Sequence, residues 1–342
     1  MSGTSSGEPP QGVTGALDSL PLPGDYGPRH LLVSRSSQDR WYRGSVRAVA
    51  IAAFVLLFLI GLFLLIKSWP AISKEGWGTF LTTTSWSTSG THPSFGILAV
   101  LYWTVVIAVI ALIIGVPVSL CAALFITDYA PLRLKRALVA LIDLLAVVPS
   151  VIFGLWGLFL LQPNLEGFAK FLATHLGWFP LFRNPSGNTL FSSSAFIAGI
   201  LVGVMIVPIV TSVSREIFSL TPPGEREGAM ALGATKASVI RTVVLPFGRG
   251  GFIGAVMLGL GRALGETIAV AIVISPTFII SGHILAPGAN SIAALIARQF
   301  GQGGQTGAEA LLGAGFVLFV FTLIVNFGAS IIVSRSRTGA SA

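Results

Sequence analysis

Two charged residues, Arg262 and Glu266, lie near the middle of the apolar stretch 251–275, within the sequence GRALGET. A charged side chain at the centre of a bilayer costs roughly 2.5–3.5 kcal/mol on insertion scales, so such residues usually face the interior of a helix bundle or a water-filled cavity. The spacing of four residues predicts that both side chains lie on one face of a helix and can reach each other. Arginine combines a permanent charge with a planar set of donors that matches an oxyanion.

These charges admit two interpretations. In the structural one, Arg262 and Glu266 neutralise each other. Gly261 and Gly265 then form a G-x-x-x-G face for close helix packing. In the functional one, Arg262 presents a fixed positive charge to a passing anion, Glu266 weakens the attraction so that the anion leaves, and Thr267 offers a hydroxyl donor. We favour the functional interpretation, because a sequence without either charge would avoid the insertion penalty.

Other reactive constellations are missing from the sequence. The four histidines are scattered without metal-ligand spacing, and no Ser-His-Asp or Cys-His set has supporting context. No G-x-x-x-x-G-K-[ST] motif is present, so the chain lacks the usual device for cradling nucleotide phosphates. The single cysteine, Cys121, excludes an intrachain disulfide framework. We therefore expect no catalytic residues, no metal site and no cofactor in this chain.

The composition indicates a membrane protein that crosses the bilayer several times. Of 342 residues, 53% are hydrophobic and only 10% are charged, and the mean hydropathy is +0.85. Runs of 18 or more apolar residues are long enough to span the hydrocarbon core as helices. The sequence therefore predicts an all-α membrane protein with one domain, 45–335, and six transmembrane helices. The predicted spans are 46–66, 97–126, 137–161, 195–214, 250–275 and 309–333.

The distribution of basic residues predicts the orientation. Counting Arg47 at the start of the first span, the side of the membrane that carries both termini holds 15 Lys and Arg residues, and the opposite side holds five. Because Lys and Arg mark cytoplasmic loops, both termini are expected in the cytoplasm, and the net charge of +8 does not indicate nucleic acid. The Ser-, Gly- and Pro-rich segment 1–44 is expected to be a disordered cytoplasmic tail. Residues 336–342 form the predicted cytoplasmic C-terminus.

The fourth connector, 215–249, is predicted to form a helix, a turn and a second helix. Thr221 precedes two prolines and is a plausible N-cap for the first helix. Gly233 is expected to end that helix. Pro246 is expected to end the second helix, which begins in the segment TKASVIRTVV. Two short helices in this arrangement make a rigid knob on the cytoplasmic face.

Within this connector, EGAMALGATKASVIRTVVLP resembles the EAA loop of ABC-importer permeases. The pattern of that family is Glu-Ala-Ala, three residues, Gly, nine residues, Ile, one residue and Leu-Pro, and the spacing in this chain agrees with it at every position. Gly228 replaces the middle alanine, and Val243 replaces the isoleucine. The identical positions are Glu227, Ala229, Gly233, Leu245 and Pro246. In that family the loop docks into a cleft of a separate ATPase subunit, and the resemblance implies the same role for residues 225–246. A partner that handles ATP also agrees with the missing phosphate-binding motif.

A more specific resemblance covers roughly residues 70–333. GLGRALGETIAV, VVPSVIFGLWGLFLL at 147–161 and NSIAALIA at 290–297 resemble the phosphate-specific permeases of the Pst system, and the continuation after Gly-Glu-Thr is similar to the C-subunit branch. The resemblance implies a type I ABC importer permease bundle that moves inorganic phosphate inward. It also implies an A-type permease partner, two ATP-binding subunits and an extracytoplasmic phosphate-binding protein. In that family the arginine and glutamate of this motif are implicated in phosphate passage, which carries over to Arg262 and Glu266.

Two alternatives stay open on the residues alone. The same architecture can serve another oxyanion, such as sulfate or molybdate. A membrane scaffold or sensor can also use the loop 215–249 only to recruit an ATPase-like partner, in which case the charge of Arg262 would not matter for transport.

Overall fold

The computed structural model describes residues 37–87, 94–183 and 191–337, with side chains within residues 41–331 of these ranges. Most of the predicted disordered tail, 1–44, and residues 338–342 of the predicted cytoplasmic C-terminus lie outside the described residues, so these two predictions stay open. The described residues fall into two units that divide between Leu57 and Phe58. The described part of the first unit is helical.

Six of the described helices are long and apolar enough to cross a membrane. They span Trp41–Glu75, Leu98–Tyr129, Ser150–His175, Ala195–Ser219, Lys236–Gly265 and Gly304–Ile331. The predicted all-α fold with six transmembrane helices is therefore confirmed.

The helical elements are as follows, in chain order. They are α1 (Ser37–Glu75), α2 (Trp77–Thr82), α3 (Leu98–Leu124), α4 (Leu132–Val147), α5 (Ser150–Trp156), α6 (Gln162–His175), α7 (Ala195–Ser219), α8 (Pro223–Ala231), α9 (Lys236–Val239), α10 (Leu245–Gly265), α11 (Ile268–Val273), α12 (Ile292–Gln299) and α13 (Gly304–Arg337). Single π-helical turns follow α3, α5 and α9, at Phe125–Tyr129, Gly157–Leu161 and Ile240–Val244. Two short antiparallel strands, β1 (Trp86–Ser87) and β2 (Ser94–Phe95), pair Trp86 with Phe95 and Ser87 with Ser94.

The core of the second unit is built around α7. In the most apolar window of this helix 67% of residues are buried, against 33% or less in the other long helices. Small residues let α3 approach closely: a Cβ added at Gly199 would lie 2.5 Å from Cγ2 of Ile110. Trp103, Ile107 and Val202 belong to the same buried cluster. This α3–α7 pair is the rigid framework against which α10 and α11 pack.

The third predicted span, 137–161, is not one helix. Helix α4 ends at Val147, Val148 is extended with φ −60° and ψ 128°, and α5 begins at Ser150. Pro149 explains the break, because proline has no N–H and disfavours a helical conformation for the residue before it. The third long apolar helix is instead Ser150–His175.

The fifth predicted span, 250–275, is also displaced. The long helix starts at Lys236 and ends at Gly265, and the short helix α11 follows. Glu266 between them has φ −67° and ψ 121°, so it is extended rather than helical. A broken helix at membrane depth is tolerated where its backbone is buried in protein or lines a cavity. The break between α10 and α11 is therefore expected to line a cavity.

Candidate functional site

An open cavity of about 470 Å³ lies at the break between α10 and α11. Its lining residues are Ser150, Gly261, Arg262, Gly265, Glu266, Thr267 and Ile268. The sequence motif GRALGET thus supplies most of the wall, and the first residues of α5 and α11, Ser150 and Ile268, supply the rest. All three residues singled out from the sequence as a substrate pathway, Arg262, Glu266 and Thr267, line this one cavity.

Arg262 lies in the last turn of α10. Its Nε atom is buried and has no hydrogen-bond partner, and no salt bridge to Arg262 occurs among the described residues. The guanidinium therefore keeps unused donors beside the cavity. A planar set of N–H groups with a permanent charge is suited to bind an oxyanion.

Glu266 is 7% exposed and lies just beyond the end of α10. Its Oε1 accepts a hydrogen bond from the backbone N–H of Ala269 at 3.4 Å, which places the carboxylate at the start of α11. Because Glu266 is not helical, the expectation that it shares a helix face with Arg262 at a spacing of four residues is wrong. The two side chains line the same cavity without forming an ion pair.

The hydroxyl groups of the cavity differ in availability. Oγ1 of Thr267 donates to the carbonyl of Gly265 at 3.0 Å, so its donor is engaged by the backbone. Ser150 has no such hydrogen bond among the described residues, and it lies on the cavity wall at the start of α5. From the sequence, Ser150 is one of several membrane hydroxyl groups that can donate to an anion, and only Thr267 is favoured by its neighbours. The packing of α5 is what brings Ser150 to the same cavity as Arg262.

The two glycines beside Arg262 face open space. A Cβ added at Gly261 or Gly265 would meet no heavy atom within 4 Å, whereas one at Gly259 would lie 2.7 Å from Cγ2 of Val210. Gly259 is therefore a packing glycine of α10, as are Gly248 and Gly251 nearer its start. The G-x-x-x-G pair is not used for helix contact within the described chain. Gly261 and Gly265 instead keep the cavity wall free of side chains.

Helix α11 is held at both ends by charged groups. Nη2 of Arg298 on α12 donates to the carbonyls of Ala271 and Ile274, the latter at 2.6 Å. A carboxylate near the start of a helix and a cation at its end both interact favourably with the helix dipole. The sequence gives no sign of this role for Arg298, because its partners are 24 and 27 residues away in the chain.

The connector 215–249 forms the predicted helix–turn–helix. Glu227, Gly228 and Ala229 lie on α8, and Gly233 adopts φ +84° in the turn that follows. A left-handed residue at this position ends a helix as expected. Thr235 begins the second helix, and its Oγ1 accepts the N–H of Ser238 at 3.3 Å.

Two details of the predicted connector are wrong. Thr221 does not cap α8: its hydroxyl donates to the carbonyl of Phe218 at 2.9 Å, and Pro222 takes the N-cap position. Pro246 does not end the second helix, because α9 continues through the π turn into α10, and Leu245 and Pro246 lie in the first turn of α10. Proline is tolerated in a first turn, where its missing N–H is not needed for the helix.

An ion pair joins the connector to the end of the second long helix. Nη1 of Arg226 on α8 lies 2.5 Å from Oδ1 of Asp128, and Nη2 donates to the carbonyl of Phe218 at 2.7 Å. Neither residue was singled out from the sequence, because they are 98 residues apart. In the same part of the molecule, Asp143 on α4 accepts a hydrogen bond from the hydroxyl of Ser212 on α7 at 3.2 Å.

Comparison with known proteins identifies the family. Residues 115–338 match the family described as binding-protein-dependent transport system inner membrane component. Phosphate transport system permease protein PstC 2 of Mycobacterium tuberculosis is 41% identical over 305 residues, which cover 88% of this chain and 93% of the relative. PstC of Haemophilus influenzae is 37% identical over 297 residues, which cover 86% and 93% of the two chains.

A solved structure supports the fold alone. A bacterial ABC transporter chain involved in the import of the acidic polysaccharide alginate superposes with a TM-score of 0.53 at 17% identity, covering 86% of this chain and 99% of that chain. The resemblance to the Pst permeases is confirmed by the PstC relatives. These relatives are permeases rather than enzymes, and the chain is likewise a membrane-embedded transport subunit. It belongs to the family of inner membrane components of binding-protein-dependent transport systems.

Proposed function

We propose that this chain is a permease subunit of an ATP-driven importer that passes inorganic phosphate across the cytoplasmic membrane by alternating access. The PstC relatives, which match most of the chain, are named for phosphate transport. The single observation that supports the proposal best is the position of Arg262, whose guanidinium has unused donors and lines an open cavity.

The cavity has the chemistry that a divalent oxyanion needs for transient binding. Arg262 offers a fixed charge and forked donors, and Ser150 offers a hydroxyl. A volume of about 470 Å³ leaves room for the anion together with water, because one water molecule takes about 30 Å³. Glu266, on the same wall, opposes the positive charge and limits how tightly the anion is held. Binding that is favourable but weak is what a conduit requires.

Gly261 and Gly265 leave one wall of the proposed conduit without side chains. With no atom of this chain within 4 Å of an added Cβ, they leave the wall beside Arg262 open to whatever faces it. We propose that an A-type permease subunit faces this wall and completes the pathway. The two permeases would then enclose the anion between them, and rocking of one against the other would expose it to each side in turn.

The connector is proposed as the docking site for the ATPase subunits. Helix α8 contains no buried residue, and Leu232 at its end is 91% exposed. A leucine exposed to this extent, five residues after Glu227, suits a cleft on a partner protein. Because the basic residues lie mainly on the side of this connector, we place the connector and both termini in the cytoplasm. A phosphate-binding protein would deliver the anion from the opposite side.

The substrate is tested with the complete importer in proteoliposomes. Radiolabelled phosphate uptake driven by ATP is measured with and without an excess of sulfate or molybdate. We expect neither anion to reduce uptake. Inhibition by molybdate or sulfate, with uptake of that anion, would overturn the phosphate assignment while leaving the permease fold unaffected.

A further inference from the structure

A second cavity, of about 500 Å³, shares no lining residue with the cavity at Arg262. It lies between the π turn that ends α3 and the segment that runs from α9 into α10. Its lining residues are Cys121, Leu124, Phe125, Tyr129, Ala237, Ile240, Arg241 and Leu245. We call this cavity the α3–α9 groove.

The walls of the α3–α9 groove are mainly apolar, and Arg241 is the one charged residue among those that line it. Leu124, Phe125 and Leu245 line it, and Phe125 is 45% exposed, which is a large exposure for an aromatic ring without a polar atom. In a chain that spans a membrane, such a surface is suited to contact with an acyl chain. The apolar part therefore matches the tail of a lipid.

Two basic side chains lie in or next to the α3–α9 groove. Arg241 lines the groove and is exposed, and Nζ of Lys236 lies 6.0 Å from the ring centroid of Tyr129, which is also a lining residue. Long basic side chains at the end of a membrane helix extend to the interface while their stems cover apolar surface. The lining of the groove contains no acidic side chain that would compensate Arg241.

The spacing of charge and apolar surface agrees with the dimensions of a lipid. Leu245 is nine residues after Lys236 along one continuous helical run, which is about 13 Å at 1.5 Å per residue. A headgroup and the first part of an acyl chain cover a similar length. Both walls also contain a π-helical turn, at Phe125–Tyr129 and Ile240–Val244. Such turns are frequently found at functional sites.

We propose that the α3–α9 groove binds a phospholipid with an anionic headgroup. Arg241 and Lys236 hold the phosphate region, and one acyl chain lies against Leu124, Phe125 and Leu245. The groove adjoins the start of the segment that connects α8 to α10, so a bound lipid would support the helix that carries both the connector and Arg262. This inference depends on the chain lying in a membrane and does not depend on phosphate being the transported anion.

The proposal is tested by photo-crosslinking in the complete importer. The complex is reconstituted in two sets of phosphatidylcholine vesicles. One set contains a trace of phosphatidylglycerol with a diazirine in its acyl chain, and the other contains a trace of phosphatidylcholine with the same label. Crosslinked peptides that contain residues 121–129 or 237–245 are quantified by mass spectrometry. Phosphatidylglycerol should crosslink in preference to phosphatidylcholine by about fivefold for each participating basic residue.

Matched variants distinguish the groove from general lipid contact. The double variant Lys236→Gln/Arg241→Gln should lose the preference for phosphatidylglycerol, and Arg133→Gln, which changes an exposed arginine of α4 outside the groove, should keep it. Added inorganic phosphate should not compete, since it lacks an acyl chain. Equal crosslinking of the two lipids to the unchanged protein would overturn the proposal. If neither lipid gave crosslinks, the proposal would also be overturned, because a protein subunit would then cover the groove.

Discussion

The carboxylate of Asp128 and the guanidinium of Arg226 lie 2.5 Å apart, although they are 98 residues apart in the chain. Arg226 also donates to the carbonyl of Phe218 at the end of α7. One side chain on α8 therefore contacts the ends of two long helices that form the core of the membrane domain. We conclude that α8 is attached to the helices it would have to move, and is not a freely hinged knob.

Replacing Arg226 by glutamine should weaken this attachment. The change leaves Asp128, whose side chain is only 11% exposed, without its charged partner. A hydrogen bond between charged groups contributes about 1.5–3 kcal/mol to stability. We expect ATP-driven uptake by the complete importer to fall about tenfold, while ATP hydrolysis by the partner subunits falls less. Parallel assays of uptake and hydrolysis in proteoliposomes measure the ratio of the two.

A charge reversal provides the control for the Arg226 variant. The double change Asp128→Arg/Arg226→Asp restores the pair in the opposite sense and should recover part of the uptake. Arg249→Gln, at an exposed arginine of α10, should have little effect. If the reversed pair transports no better than either single variant, the contact between Asp128 and Arg226 is not what attaches α8.

Gly265→Leu should block the pathway without disturbing the fold. A Cβ added at this position would meet no heavy atom of the described residues within 4 Å, and the position lies on the wall of the cavity that Arg262 lines. Uptake should fall at least about tenfold, and the free energy of unfolding should stay within ~0.5 kcal/mol, as is usual for a substitution that creates no clash. Gly254→Leu on the same helix also meets no atom but does not line the cavity, so it should transport normally. Equal loss in both variants would argue against a pathway at Gly265.

The connector contains two glycines with opposite expected behaviour. Gly233 has φ +84°, so alanine there should cost about 1–2 kcal/mol of stability. Gly228 lies within α8 with no atom within 4 Å of an added Cβ, so Gly228→Ala should stabilise the helix by roughly 0.5–1 kcal/mol. Thermal unfolding of the purified complex measures both changes. Similar midpoints for the two alanine variants would contradict the assigned turn.

Glu266→Gln should slow the release of phosphate. The amide oxygen of glutamine still accepts the N–H of Ala269, so α11 keeps its start, but the negative charge beside Arg262 is lost. We expect tighter retention of radiolabelled phosphate and a lower maximal rate of uptake. Faster uptake with weaker retention would show that Glu266 does not oppose the charge of Arg262.

The sequence predicts the number of membrane helices and the helix–turn–helix because both depend on local patterns. Apolar length defines a span, and Gly233 ends α8 by a conformation that glycine adopts without strain. Pro149 is visible in the sequence, but the apolar run on both sides of it favours a single span. The break between α4 and α5 therefore shows that the local effect of Pro149 outweighs the hydropathy of the whole run.

The break at Glu266 could not be predicted in the same way. No proline lies between Pro246 and Pro276, and apart from Arg262 and Thr267 the residues near Glu266 are apolar or glycine. The short helix α11 is stabilised by Arg298 on a later helix and by the side chain of Glu266 itself. The ion pair between Asp128 and Arg226 likewise depends on packing between distant segments. Interactions of this kind arise from tertiary structure, which the periodicity of one segment does not report.

The most direct test of the account concerns Arg262. Radiolabelled phosphate uptake is measured with importers that carry Arg262→Gln or Arg262→Lys, at equal amounts of assembled complex. Loss of a charged hydrogen-bond donor is worth about 1.5–3 kcal/mol, so uptake should fall about tenfold to a hundredfold with glutamine and less with lysine, while assembly stays intact. Unchanged uptake by Arg262→Gln would contradict the account, because the guanidinium would then not lie on the path of the anion.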